Sequence, residues 1–374
     1  METYLRDIMA ALGRLGVGNH ALVHQSSLGL HSETEAIATK GQALHITRVA
    51  VWLRVLFTPL SPTFPLHLRR LLKTYQPDLL HLHLPNVSAF WVLFIPAARR
   101  LGWTIHWHSD VPLSEHKTAL RLFYRLYRPF ETALLRGATR VITTSPSYLE
   151  SSAPLAPFRN KCGVVPLGID PTYLGEPPEA GDDHNGPALK VLAVGRLTYY
   201  KGFEFLLRAA STVEEVRVDL VGSGELAGSL QDLARELGVE ERVTFHSEVS
   251  GEELQSLLGA CDLVCLPSIE RSEAFGLVLL EAMYFRKATV ASKVPGSGMS
   301  WVVTAGETGE LCEPGNADDL AGQLRNLAAD RDKIRRLGLA GRKRFDQLFH
   351  IDQSAAALLA EFTGILSERN PGNV

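Results

Sequence analysis

Cysteine is scarce in this chain. Four thiols, Cys162, Cys261, Cys265 and Cys312, are spread over 374 residues in apolar or strand-like stretches, so neither a disulfide framework nor a zinc-type Cys/His spacing is present. They fit the reduced thiols of a cytoplasmic protein, with Cys261 and Cys265 expected at the start and end of a buried strand. Excess charge of either sign is missing as well. A net charge of −3 and a pI of about 6.5 offer nucleic acid no general attraction, and no aromatic-basic alternation restores one, so no nucleic-acid partner is expected. Long hydrophobic runs are the third absence: the longest, 87–98, contains Pro96 and is too short to span a bilayer. The expectation is a soluble, cytoplasmic protein, peripheral at most at the inner face of the membrane. What is present is an ordinary soluble composition, 45% hydrophobic with a mean hydropathy of +0.02, in a length that suits two cores.

Strand-like runs alternate with amphipathic helices from end to end, the pattern of parallel sheets with helical crossovers, and the fold class read from it is α/β throughout. Strands are predicted near 20–23, 44–49, 79–82, 104–107, 140–143 and 163–165 in the first half. In the second they fall near 190–194, 217–221, 242–245, 263–266, 289–291 and 309–311. The stretch 175–187, G-E-P-P-E-A-G-D-D-H-N-G-P, has a linker composition. It divides the chain into a first domain over 1–174 and a second over 188–350, and a last helix within 351–374 is expected to cross back to the first. The chain opens on a helix, since Leu5, Ile8, Met9, Leu12 and Leu15 recur at helical spacing. A doubly wound domain ordinarily opens on a strand and a ligand-binding loop.

The most informative stretch is 272–281, S-E-A-F-G-L-V-L-L-E, which sets two carboxylates eight positions apart around the start of an apolar helix. Glu273 and Ala274 fall in the turn, Phe275 and Gly276 open the helix, and Leu277 to Leu280 press it into a core ahead of Glu281. Unpaired N–H groups at a helix N-terminus attract phosphate, leaving one carboxylate to hold a sugar hydroxyl and the other a ribose. After strand 190–194, G-R-L-T-Y-Y-K-G places Gly195, Arg196 and Lys201 on a loop that leads into a helix. Two cations at the C-terminal edge of a parallel strand suit a diphosphate, and would stabilise a departing nucleoside diphosphate without a metal. In V-D-L-V-G-S-G-E-L, Gly222 and Gly224 let the backbone approach a ligand at a strand-to-helix turn. A dinucleotide fingerprint with Glu248 as the ribose acid competes here. It is weakened because Gly228 comes one place late and the unit is not the first of its domain.

In the first half, T-I-H-W-H-S-D-V ends a strand with His106, His108 and Asp110. Strand alternation sends His106 and His108 to one face and Trp107 to the other. His108 is expected to reach the ligand crevice, with Asp110 orienting it or binding a hydroxyl of its own. No third metal ligand has an obvious position, His81 and His83 read as structural neighbours, and no metal is expected. The segment 46–73 mixes Arg48, Arg54, Arg69, Arg70 and Lys73 with Trp52, Leu53, Leu56 and Phe57. It either leans on an anionic membrane or covers a sheet as an ordinary helix-loop-helix.

The ordered series G-R-L-x-x-x-K-G (195–202), V-G-S-G-E (221–225), P-S-x-x-x-S-E-A-F-G-L-V-L-L-E-A-M (267–283) and G-E-T-G-E-L (306–311) resembles the retaining, family-4 glycosyltransferases of the GT-B type, built from two Rossmann-like domains across a cleft. H-S-D (108–110) and V-P-L-G-I-D (165–170) are similar to that family's first-domain motifs, especially in enzymes of bacterial capsule and exopolysaccharide synthesis. The resemblance covers nearly the whole chain. It implies that Glu273 holds hydroxyls of the donor sugar, Glu281 the ribose, and Arg196 with Lys201 the diphosphate. The amides of Phe275, Gly276 and Leu277 then face sugar or phosphate, and His108 contacts the donor sugar. The implied reaction moves a hexose from a UDP- or GDP-sugar to a saccharide or polyprenyl-linked acceptor with retained configuration and no divalent metal or other cofactor.

One departure accompanies the resemblance. Family members have a first strand and a Gly-Gly loop just before a segment like M-E-T-Y-L, so the reading frame is expected to start further upstream. Two other readings stay open: a sugar-nucleotide 2-epimerase of the same fold, and a non-catalytic nucleotide- or saccharide-binding remnant.

Overall fold

Fifteen strands form among the residues described by the computed structural model, which are 2–38, 43–55, 58–111, 118–177 and 186–369. The chain divides into two units. Unit 1 comprises Met1–Thr144, Leu149–Pro166 and Ile351–Val374, and unit 2 comprises Ser145–Tyr148 and Leu167–His350. The division at Pro166 precedes the Gly- and Pro-rich stretch in which composition places the linker. Residues following it pack with unit 2, where Tyr173 and Gly175 bond to Glu281 and Tyr284. Of the linker itself, residues 178–185 lie outside the described residues.

Unit 2 holds β10 (Leu189–Val194), β11 (Val216–Val221), β12 (Val243–His246), β13 (Leu263–Leu266), β14 (Ala288–Ser292) and β15 (Gly309–Cys312) in one sheet. Its order is β12-β11-β10-β13-β14-β15, parallel throughout. Helices on the faces of a parallel sheet bury its central strands on both sides, so these read as unbroken apolar runs, and every residue of β13 and β14 is buried. Leu206 and Leu207 of helix Phe203–Ser211 share one core with Leu324 and Leu327 of helix Ala317–Ala329 and with Val191, Val218 and Leu263. The chain runs outward from β10 to β12, then returns to the far side of β10 at β13. The loops that leave β10 and β13 therefore part in opposite directions from adjacent strand ends, the position where open α/β sheets hold ligands.

Unit 1 holds β1 (His20–Leu28), β2 (Glu33–Ala38), β3 (Ala43–Val51), β4 (Leu53–Val55), β5 (Thr58–Leu60), β6 (Leu80–Leu84), β7 (Trp103–Trp107), β8 (Arg140–Thr143) and β9 (Cys162–Val164). They form two larger sheets and one hairpin, β4-β5. One sheet is β1-β3-β2, the other the parallel β6-β7-β8-β9. Strand β1 lies parallel to β3, whereas β2 lies antiparallel to it. Among the described residues β1 and β6 are each paired on one side alone. Helix Glu2–Arg14 covers both sheets: Met9 packs with Ala21, Leu44 and Ile46, while the Tyr4 ring meets His106 and His108 edge-on. The expected stripe of this helix is corrected at one end, because Leu15 follows its last turn and stands exposed.

The last helix, Ile351–Arg369, belongs to unit 1. Glu361 accepts from Arg140 at 2.8 Å, Ser354 Oγ donates to the Pro166 carbonyl, and Arg369 donates to the carbonyls of Leu101 and Arg100. Two further expectations are corrected. Cys265 is inside β13, but Cys261 caps the preceding helix Gly251–Ala260 rather than opening the strand. The segment 46–73 is strand, hairpin and helix rather than helix-loop-helix, and Leu56 and Phe57 lie outside the described residues.

Candidate functional site

In unit 2 the loops leaving β10 and β13 are stitched together. The Ile269 amide donates to the Tyr200 carbonyl at 2.8 Å, and the Tyr199 hydroxyl to Glu270 at 2.7 Å. Between them Lys201 Nζ reaches Glu273 Oε2 at 2.5 Å, with both side chains nearly withdrawn from solvent. Two residues 72 positions apart are thus one ion pair at the strand ends. An ammonium and a carboxylate held side by side supply three donors and four lone-pair sites, a set that fits a phosphate next to a polyol. Arg196, on the same loop, is exposed.

The backbone of the Glu273 turn is fixed from behind. Ser297 Oγ donates to the Glu273 carbonyl at 2.5 Å, and the Gly298 amide donates to that of Ala274 at 2.8 Å. Phe275 is buried against Phe349 and Trp301. Helix Leu277–Tyr284 begins two residues later than predicted, because Gly276 takes a φ of 82° as its N-cap. Phe275 and Gly276 therefore belong to the turn, and Leu277 is the first helical residue. Glu281 lies in the second turn of that helix. Its Oε1 accepts from the Tyr173 hydroxyl at 2.7 Å, and burial pushes the carboxyl up from the usual range while this bond pulls it down.

Gly222 has a structural task as well. A Cβ there would stand 1.9 Å from the Gly195 carbonyl oxygen, at a φ of 147°. The glycine lets two backbones close on each other, which fixes the start of the Gly195–Lys201 loop.

In unit 1 the strand register sets His83 beside His106 and His81 beside Thr104. Four imidazoles share one face. His106 and His108 stack at 4.4 Å within 2° of parallel, His83 and His108 share a 2.8 Å bond, and His81 lies 3.3 Å from His106. Burial, reinforced for His81, His106 and His108 by neighbouring rings, pushes all of them down, His83 to about 4, so they stay neutral at neutral pH. His108 is 8% exposed and hydrogen-bonded into this stack. Asp110 accepts from Trp107 Nε1 at 2.9 Å and Ser152 Oγ at 2.6 Å, which anchors the end of β7.

The stack does supply the third nitrogen that sequence reading failed to place, since His83, His106 and His108 each bring one to within 4.8 Å of the others. An imidazole lone pair lies in the ring plane. These three planes are within 15° of parallel, so their lone pairs converge on a common ion only if the rings turn. Tyr173, Glu270, Ser297 and Gly298 also escaped sequence reading. The P-G-S-G turn at 295–298 was the available signal for the last two.

Comparison with known proteins follows this geometry. The family description "Glycosyltransferase Family 4" matches residues 1–173, and "Glycosyl transferases group 1" matches residues 181–344. The chain is 28% identical to the D-rhamnosyltransferase WbpZ of Pseudomonas aeruginosa, over 93% of this chain and 88% of that one. It is 26% identical to O-antigen chain mannosyltransferase C of Escherichia coli, over 78% and 77% respectively. The structure of Anabaena HepE in complex with UDP-glucose superposes with a TM-score of 0.65, at 23% identity, over 84% of this chain and 86% of that one, a likeness of fold. With two matches end to end along its length, relatives that are sugar transferases and the strand order of unit 2, the chain belongs to the family-4 glycosyltransferases of the GT-B type.

Proposed function

We propose that the protein moves a hexose from a nucleoside-diphosphate sugar to a saccharide or lipid-linked saccharide, with retained anomeric configuration, during synthesis of a cell-surface polysaccharide. The observation that carries the reading is the Lys201–Glu273 pair between the ends of β10 and β13. When a donor enters, its diphosphate takes over the Lys201 ammonium, joined by Arg196, and frees Glu273 to accept hydroxyls of the sugar. As the glycosidic bond breaks, these cations stabilise the charge that grows on the departing phosphate. Amides of Phe275, Gly276 and Leu277 lie at the helix start beside this pair, and Glu281, oriented by Tyr173, is assigned to the ribose. His108 is assigned to the chemistry through its family motif.

A nucleotide-sugar donor is supported by the relatives named above and by HepE, whose structure holds UDP-glucose. The same relatives favour transfer over epimerisation and over a binding remnant. The test is a panel of UDP- and GDP-sugars with a lipid-linked acceptor, in the presence of EDTA. Retention shows as an unchanged anomeric configuration in the product's proton couplings. An inverted product, a reaction that stops on chelation, or conversion of donor without acceptor would each overturn the corresponding part.

A further inference from the structure

Helix Thr118–Gly137 of unit 1 has a buried face and a face that is exposed among the described residues. Tyr127, Glu131, Leu134 and Leu135 point into the unit. Leu122, Leu126 and Phe130 recur at four-residue spacing along the other side and are 62%, 70% and 40% exposed. The stripe continues onto the neighbouring 3-10 turn Val87–Phe94. The Phe130 ring stacks on Phe90 at 5.3 Å and meets Phe94, which meets Trp91, and Phe94 and Trp91 are 56% and 38% exposed. A connected patch of two leucines, two phenylalanines and a tryptophan exceeds what scattered surface residues amount to, and marks a site of interaction.

Charge decides the partner. Arg121, Arg125, Arg128 and Arg136 are all exposed on the same helix. Its sole carboxylate, Glu131, is 1% exposed and holds the Tyr124 hydroxyl at 2.9 Å, so the surface itself carries one sign. An apolar stripe with aromatic members, flanked by arginines and free of exposed acid, is the composition of a helix that lies in the plane of a bilayer interface. The stretch at 46–73, singled out from sequence for the same role, is a weaker match: Trp52 and Leu53 are exposed there, but Arg48 is already paired with Glu35 of β2.

We propose that helix Thr118–Gly137 and the turn Val87–Phe94 form a docking surface for an anionic lipid bilayer, with Leu122, Leu126, Phe130, Phe94 and Trp91 entering the interface and the arginines on lipid phosphates. This rests on the reading of a lipid-linked acceptor. Its test measures binding without transfer, so failure of one is told from failure of the other.

The full chain is sedimented with vesicles of phosphatidylethanolamine and phosphatidylglycerol, and with neutral phosphatidylcholine vesicles. Binding to the anionic vesicles should exceed that to the neutral ones at least tenfold and fall with salt. Leu122→Ser with Leu126→Ser, both exposed, should lower binding about tenfold with circular dichroism unchanged. Arg125→Glu with Arg128→Glu should erase the preference for anionic lipid, whereas Trp52→Ser should leave binding as it was. Equal binding to both vesicles, undiminished binding by the leucine variant, or loss confined to Trp52→Ser would overturn the proposal. So would a dimer in ultracentrifugation that the leucine variant dissolves while vesicles bind nothing, since the face would then belong to a second copy of the chain.

Discussion

The two units begin from the same sequence grammar and end with different interiors. Unit 2 closes six strands into one parallel sheet with an almost wholly apolar core, and places its charges at the ends of β10 and β13. Unit 1 splits its strands between separate sheets, holds a stack of four histidines of which His106 and His108 are buried, and leaves leucines and aromatic rings outside. The difference teaches where each unit's polar chemistry is kept. In unit 2 it is a charged pair at the surface end of a dry scaffold. In unit 1 it is neutral and internal, and its stability is tied to pH.

The largest effect that would break this comparison lies in the unit 2 backbone. Gly222→Val should unfold the unit or cost about 4 kcal/mol or more, because the new Cβ stands 1.9 Å from a carbonyl oxygen. Urea titration followed by hydrogen exchange of β10 and β11 measures it, and a variant as stable as wild type would mean the two loops are not locked. Next is Glu273→Ala, expected to lower transfer at least a hundredfold, about 3 kcal/mol, with an unchanged melting curve. Turnover close to wild type would remove Glu273 from the donor site.

The pH prediction separates the units directly. Each of the four histidines is pushed below its ordinary value in the folded state, so the unfolded chain takes up protons first as pH falls. Stability present above about 6.5 is then lost toward 4, by up to ~3 kcal/mol for His83 alone. Glu131 works the other way. Burial holds its carboxyl at about 7, so below that pH the folded state keeps a proton the unfolded chain lacks until about 4.5. Four groups outweigh one, and β6 and β7 should exchange their amides faster at pH 5 than at pH 7.5, while β13 and β14 change little. The reverse order would show that the stack is not the acid-sensitive element. Smallest is Tyr173→Phe, which should raise the donor KM a few-fold with kcat nearly unchanged, since Glu281 keeps its place and loses one hydrogen bond.

How much was legible in advance follows from the range over which each feature is encoded. The strands of unit 2 are apolar runs between turn residues, so β13 was bounded correctly from L-V-C-L alone. Strand β2, E-T-E-A-I-A, is polar and antiparallel, and takes its conformation from pairing with β3 rather than from its own composition. The three-residue β4 and β5 lie in the stretch whose composition suggests helix-loop-helix, and β5 includes Pro59. At the site, Lys201 and Glu273 were each flagged by the loop they sit on. Their contact depended on β10 and β13 being neighbours, which no local window contains. The histidine stack was hidden in the same way. Alternation placed His106 and His108 on one face, but only the register of β6 on β7 brings His83 and His81 to them.

The helix that covers both sheets of unit 1 has a mechanical consequence. Among the described residues β1 and β6 are each paired on one side alone, and Glu2–Arg14 touches both sheets through Met9 and Tyr4. Cooperativity between the sheets then passes through side-chain contacts, those of this amphipathic helix and the His24–Ser88 bond among them, instead of a ladder of backbone hydrogen bonds. A fluctuation that lifts this helix lets each sheet open on its own, and makes the seam the place where unit 1 first yields to proteases or to force.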